Sequence, residues 1–159
     1  MSSSRPDTAA TNRDVDSRWD INKFILAREA TTYDNLLLDG RISNADVRDD
    51  GGSSGLHEIP YIGRNNKGVD TDILLWYLLT CDPPADVNGR DRWGKTPMWW
   101  AALYNNTSAV TVLIDFGGDR TIKSYSIFYG SNMTPLDFAK KKNNEEIIKL
   151  FAEYFHSEE

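Results

Sequence analysis

The recurrence of two short patterns at repeat-length spacing constrains this chain more than any other feature. Ala85-Asp86-Val87-Asn88 returns as Gly118-Asp119-Arg120-Thr121, so Asp86 and Asp119 stand 33 residues apart. Thr96-Pro97-Met98 returns as Thr134-Pro135-Leu136, 38 residues on. Residues 91–121, DRWGKTPMWWAALYNNTSAVTVLIDFGGDRT, hold one full unit. It has a polar turn with Asp91 and Gly94, a helix opened by Thr96 and Pro97, a polar break, a second apolar helix, and Gly117-Gly118. Proline is harmless at a first helical position, whose N–H has no intrahelical partner. Ala101 and Ala102 let a neighbouring helix approach closely, and Gly117 suits a helix C-cap. A unit this short cannot bury its apolar face alone, so the period predicts stacked neighbours.

This pattern resembles the ankyrin repeat, D-x-x-G-x-T-P-L-x-x-A-A followed by an apolar helix and G-A-D-x-N. Asp91, Gly94, Thr96, Pro97, Met98, Ala101, Ala102, Val110, Leu113, Gly117, Gly118, Asp119 and Thr121 carry the resemblance. It implies an all-α fold: an ankyrin-repeat solenoid of stacked helix-turn-helix units with hairpin turns. Four units are expected, at about 19–47, 48–88, 89–121 and 122–156, forming one domain over 19–156. Residues 1–18 are polar and aperiodic, and are expected to form a disordered tail. The first unit is degenerate, with helix candidates over 21–30 and 33–38 ended by Gly40. In the second unit, Ser54-Gly55-Leu56-His57 stands where Thr96-Pro97-Met98-Trp99 stands in the third. Pro60 predicts a short or irregular first helix there. An insertion over 65–71 follows, then a helix over 72–81 with Ile73, Leu74, Trp76, Leu78 and Leu79 apolar. The fourth unit is expected to carry an enlarged hairpin around 124–130 and a last helix over 145–155. Its lysines and glutamates supply the polar face that a terminal unit needs.

The 159 residues carry a net charge of −6. That balance opposes non-specific nucleic-acid binding, which needs a positive face, and is compatible with a basic protein partner. Cys81 is the single cysteine, so no intrachain disulfide can form, as suits a reducing compartment. The longest apolar run, over 73–79, is far too short to span a membrane, and the first residues hold no signal-like run. The expectation is a soluble cytoplasmic or otherwise intracellular protein, without membrane association and monomeric when alone.

Residues suited to catalysis are few. His57 falls on the histidine that in the resembling family hydrogen-bonds within its repeat, and His156 sits at the chain end. No Cys/His cluster has metal-ligand spacing. Residues 51–55, GGSSG, lack the Lys-Ser/Thr ending of a phosphate loop. Neither an enzyme nor a cofactor is expected. The resemblance implies instead binding of another protein, through hairpin tips and the concave face of the first helices. The positions it marks are Arg92, Trp93, Lys95, Leu103 and Tyr104 in the third unit, and Asp50, Gly51, Ser53, Tyr61 and Ile62 in the second. In the fourth they are Gly130, Ser131, Met133, Lys141 and Lys142. Trp99 takes the histidine position and is expected to be buried. Trp100 either widens the groove or packs against Ile127 and Phe128. The leading expectation is an interaction module acting as an inhibitor or immunity-type protein of a basic target. A structural scaffold subunit is the alternative.

Overall fold

The computed structural model describes residues 45, 46, 48, 51–65 and 70–156. The tail over 1–18, both helix candidates of the first unit and Asp50 lie outside these described residues. The elements are α1 (Gly55–Asn65), α2 (Thr71–Thr80), α3 (Pro97–Leu103), α4 (Thr107–Asp115), β1 (Ser124–Ser126), β2 (Ser131–Met133), α5 (Pro135–Lys141) and α6 (Glu145–His156). The helices form three antiparallel pairs in two layers. The inner layer is α1, α3 and α5, with α3 packed on both neighbours. The outer layer is α2, α4 and α6, with α4 between the other two.

Local sequence explains the helix ends. The side chains of Thr96 and Thr134 accept hydrogen bonds from Trp99 N and Asp137 N, capping α3 and α5 ahead of their prolines. Asp137 returns the bond to Thr134 N at 3.0 Å, completing a capping box. Two Asn-Asn pairs make the turns between inner and outer helices. Asn105 and Asn143 take the left-handed conformation, with φ of 52° and 56°. The second asparagine of each pair reaches back one unit: Asn106 Nδ2 donates to Pro60 O at 3.3 Å, and Asn144 Nδ2 to Ala102 O at 3.2 Å. Gly117, at φ +86°, ends α4 in a Schellman turn, with Gly118 N donating to Leu113 O at 2.7 Å.

One cluster fills the space between the layers, from Leu56, Ile59 and Leu75 through Ala101, Ala102, Val110 and Leu113 to Ile147 and Phe151. A second, under the enlarged hairpin, joins Trp99, Met133 and Phe138. That hairpin pairs β1 with β2 antiparallel, Ser124 opposite Met133 and Ser126 opposite Ser131.

One expectation is corrected. Pro60 does not shorten α1, which at 11 residues is longer than α3 with 7. Proline removes one ladder bond, but Leu56 and Ile59 are buried beside it, and that packing outweighs the local cost. Of the apolar residues of α2, Ile73 and Trp76 are each 57% exposed, while Leu74, Leu75, Leu78 and Leu79 are buried.

Candidate partner-binding surface

The third-unit turn is organised by one carboxylate. Asp91 Oδ1 accepts from Trp93 N at 3.0 Å and Lys95 N at 2.8 Å, while Asp91 N donates to Lys95 O at 2.9 Å. Gly94, at φ +74°, supplies the left-handed residue that this closure requires. The other oxygen, Oδ2, accepts from Trp100 Nε1 at 2.8 Å, tying the turn to the face of α3. Asp91 is buried, so this turn is fixed rather than free to adapt. Trp93 stands at its tip, 56% exposed, with the Arg92 guanidinium 5.5 Å above its ring.

Along the inner face the aromatic rings form an unbroken series. Tyr61 packs on Tyr104 at 5.0 Å, and Tyr104 stacks on Trp100 at 5.9 Å. Trp100 meets Trp99 edge-on at 5.3 Å, Trp99 meets Phe138 at 5.0 Å, and Phe138 meets Tyr129 at 5.8 Å. Tyr61 and Tyr129 are exposed, Tyr104 and Trp100 half-buried, and Trp99 and Phe138 fully buried. Cations lie over the series: Arg64 5.9 Å from the Tyr104 ring centre, Lys95 4.7 Å from that of Trp99, and Lys142 5.9 Å from that of Phe138. Burial, then the charges of Glu58 and Tyr61, pushes the Tyr104 hydroxyl above its ordinary pKa. Tyr104 is therefore a neutral hydrogen-bonding group at physiological pH.

Of the positions marked from the sequence, Tyr61, Trp100 and Tyr104 come together in this series, and Leu103 packs beside it, half-buried, against the second cluster. Arg92 and Trp93 occupy the adjoining tip. Asp50 and the side chain of Ile62 lie outside the described residues. Lys95, expected at the surface, is buried: its stem runs under the neighbouring hairpin and its ammonium donates to Tyr125 O at 3.4 Å. Ser53 and Met133, the equivalent residues of the other units, are buried as well. The residue preceding the helix cap thus faces inward in all three units. Arg64, Phe138 and Tyr129 were not marked, and only their ring and cation contacts identify them.

The enlarged hairpin lifts Tyr125, Ile127 and Phe128 into solvent, 52%, 77% and 68% exposed. Its base is secured by Ser124 Oγ donating to Gly94 O at 2.7 Å. Trp100 is held by Asp91 and Tyr104, and no ring contact joins it to Phe128 among the described residues.

His57 serves the stack. Its Nδ1 accepts from Ser54 N at 3.0 Å, and its Nε2–H donates to Gly89 O at 2.8 Å, in the next unit. Burial and the charge of Arg48 hold its pKa below the ordinary value, so it stays neutral. Cys81 is half-buried at the end of α2, donating to Tyr77 O. No group of three His, Cys, Asp or Glu suited to a metal occurs among the described residues.

With this geometry, a sequence model of ankyrin repeats in three copies matches residues 64–158, more than half of the chain. The chain belongs to the ankyrin-repeat family. Within it, the African swine fever virus IkB-like protein is 30% identical over 137 residues, covering 83% of this chain and 49% of that protein. A nematode (Caenorhabditis elegans) homologue of ankyrin repeat and LEM domain-containing protein 1 is 33% identical over 79 residues, 45% of this chain and 11% of that protein. A putative ankyrin repeat protein of Rickettsia bellii is 31% identical over 64 residues, 40% of this chain and 35% of its own. The chain thus spans 11% to 49% of the length of these curated relatives. Ankyrin repeats mediate protein–protein interaction.

Proposed function

We propose that this ankyrin-repeat chain binds a protein partner along its hairpin tips and inner-helix groove and blocks it, as an inhibitor or immunity-type protein does. The observation that carries this reading is the six-ring aromatic series spanning three units, flanked by Arg92 and Trp93 on a rigid turn. Binding energy at protein interfaces concentrates on Trp, Tyr and Arg, and preformed elements lose little freedom on association. The likeness to an IkB-like viral protein is in keeping with an inhibitor. The net charge of −6 supports a target that is basic overall, acting at long range and apart from the local chemistry of the groove.

The test is titration calorimetry of the purified native partner against wild type, Trp93→Ala and Tyr104→Ala. Each substitution is expected to weaken binding by about 2 kcal/mol, roughly thirtyfold, with an unchanged circular dichroism spectrum. Full affinity in both variants removes this surface from consideration.

A scaffold role is the second reading, favoured by Ile73 and Trp76, which leave an apolar patch on the outer layer. A stable complex on size exclusion that Trp76→Asp dissociates, while Tyr104→Ala does not, would support it.

A further inference from the structure

The charge of the chain is unevenly placed. Residues 90–142 hold eight basic and four acidic side chains, a net +4 within a chain of net −6. The groove itself changes character from one unit to the next. Aligning the units on Thr96 and Thr134 sets Lys141 where Leu103 stands and Lys142 where Tyr104 stands. The second and third units therefore offer Tyr61, Leu103 and Tyr104, and the fourth offers two ammonium groups. Lys141 and Lys142 are exposed, and Lys142 lies over Phe138, next to the buried Trp99. At the opposite end Glu58 acts on Tyr104 and discourages an anion there.

We propose that the groove takes an extended segment of the partner protein with polarity: an aromatic or aliphatic residue over Tyr61 and Tyr104, and acidic residues over Lys141 and Lys142. This rests on the groove being the binding face and adds the chemistry of the segment it holds. Spacing follows from geometry. Packed helices lie about 8–10 Å apart, and an extended chain advances about 3.3 Å per residue. One unit of the groove is therefore about three residues of peptide, and the acidic positions fall about three residues from the apolar anchor. A protein segment fits better than a nucleic acid. Polyphosphate needs a continuous positive track, whereas Glu58 beside Tyr104 interrupts this one and the chain as a whole is negative.

The test is fluorescence anisotropy with four probes on the full chain. They are a ten-residue peptide with a Phe-Leu pair and two glutamates starting three residues later, the same peptide with lysines for glutamates, the same peptide with the glutamates next to the Phe-Leu pair, and a decathymidylate. The first peptide is expected to bind best, and the double variant Lys141→Glu/Lys142→Glu to weaken it about tenfold, with the helical spectrum preserved. Tyr104→Ala is expected to weaken the same peptide. Preference for the lysine peptide, equal binding of the two glutamate spacings, tighter binding of the decathymidylate, or no binding of the first peptide at millimolar concentration each overturns the inference. If the native partner is lost on Tyr104→Ala but retained fully by the double lysine variant, the groove is the binding face and its acidic specificity is wrong. If neither variant affects the partner, both readings fall.

Discussion

Replacing His57 by leucine tests whether the second and third units are joined by a buried hydrogen-bond bridge or merely by apolar packing. His57 is 2% exposed and bonds Ser54 N at 3.0 Å and Gly89 O at 2.8 Å. Leucine fills most of the ring's space and offers no polar atom. The Ser54 N–H and the Gly89 carbonyl, both on buried residues, then lose their partners. Each orphaned buried group costs about 1–3 kcal/mol, so the loss is about 2–6 kcal/mol. A domain has about 5–15 kcal/mol in total, so the variant should remain folded but much weakened. The bridge also has a pH signature. Burial sets the folded pKa of His57 below its unfolded value of about 6.5. Above the unfolded value both states are neutral and the histidine adds no pH dependence. As pH falls below it, the unfolded chain takes up a proton that the folded chain refuses. Stability then drops by up to about 1.4 kcal/mol per pH unit until the folded pKa is reached. Urea melts followed by circular dichroism at pH 7.5, 6.5 and 5.5 measure both effects. Wild type should lose more stability between pH 7.5 and 5.5 than His57→Leu, since His156 and the carboxylates are common to both. A variant within about 0.5 kcal/mol of wild type at pH 7.5, or two proteins with parallel pH profiles, would refute the bridge.

Trp99→Ala should cost about 3–5 kcal/mol in the same melts, because a fully buried ring leaves a cavity beside Phe138. Trp99→Phe should cost less than half of that, since the buried Nε1 has no hydrogen-bond partner to abandon. Gly118→Ala would press a Cβ against the Leu113 carbonyl oxygen at 2.7 Å and the Met98 methyl at 2.6 Å, and should lower thermal stability by about 1–3 kcal/mol. Thr134→Ala removes half of the α5 capping box and should cost about 1 kcal/mol in a urea titration, without loss of partner affinity.

The third unit is legible in the sequence because its signals are local. Thr96 caps, Pro97 starts, Gly117 ends and Asp91 closes the turn, and each acts on residues within five positions of itself. The Asn-Asn pairs were equally readable, recurring 38 residues apart like the Thr-Pro pairs, yet half their role lies in a bond to the preceding unit. Features decided by distant packing were not readable. Pro60 is rescued by the burial of Leu56 and Ile59 in the same helix. Trp76 is as apolar as a core residue but is 57% exposed. Trp100 needed the Asp91 carboxylate nine positions away to settle its orientation. Of the candidate surface, several positions could be marked in sequence, but the continuity of the rings from Tyr61 to Tyr129 depends on how three units stack. Lys95 shows the limit most plainly: lysine is among the residues least often buried, and only the neighbouring hairpin reverses the expectation.

The burial of Lys95 makes the chain report on its own integrity. The other lysines among the described residues, Lys123, Lys140, Lys141, Lys142 and Lys149, are exposed, and an amine-acylating reagent reaches them in the native protein. Lys95 is sealed beneath the Tyr125 backbone and the Trp99 ring, so it is labelled only when the hairpin over 124–133 lifts away. The ratio of acyl groups on Lys95 to those on Lys123 is therefore a built-in gauge of opening between the third and fourth units. It can be read by peptide mass mapping in a cell extract as readily as on the purified chain.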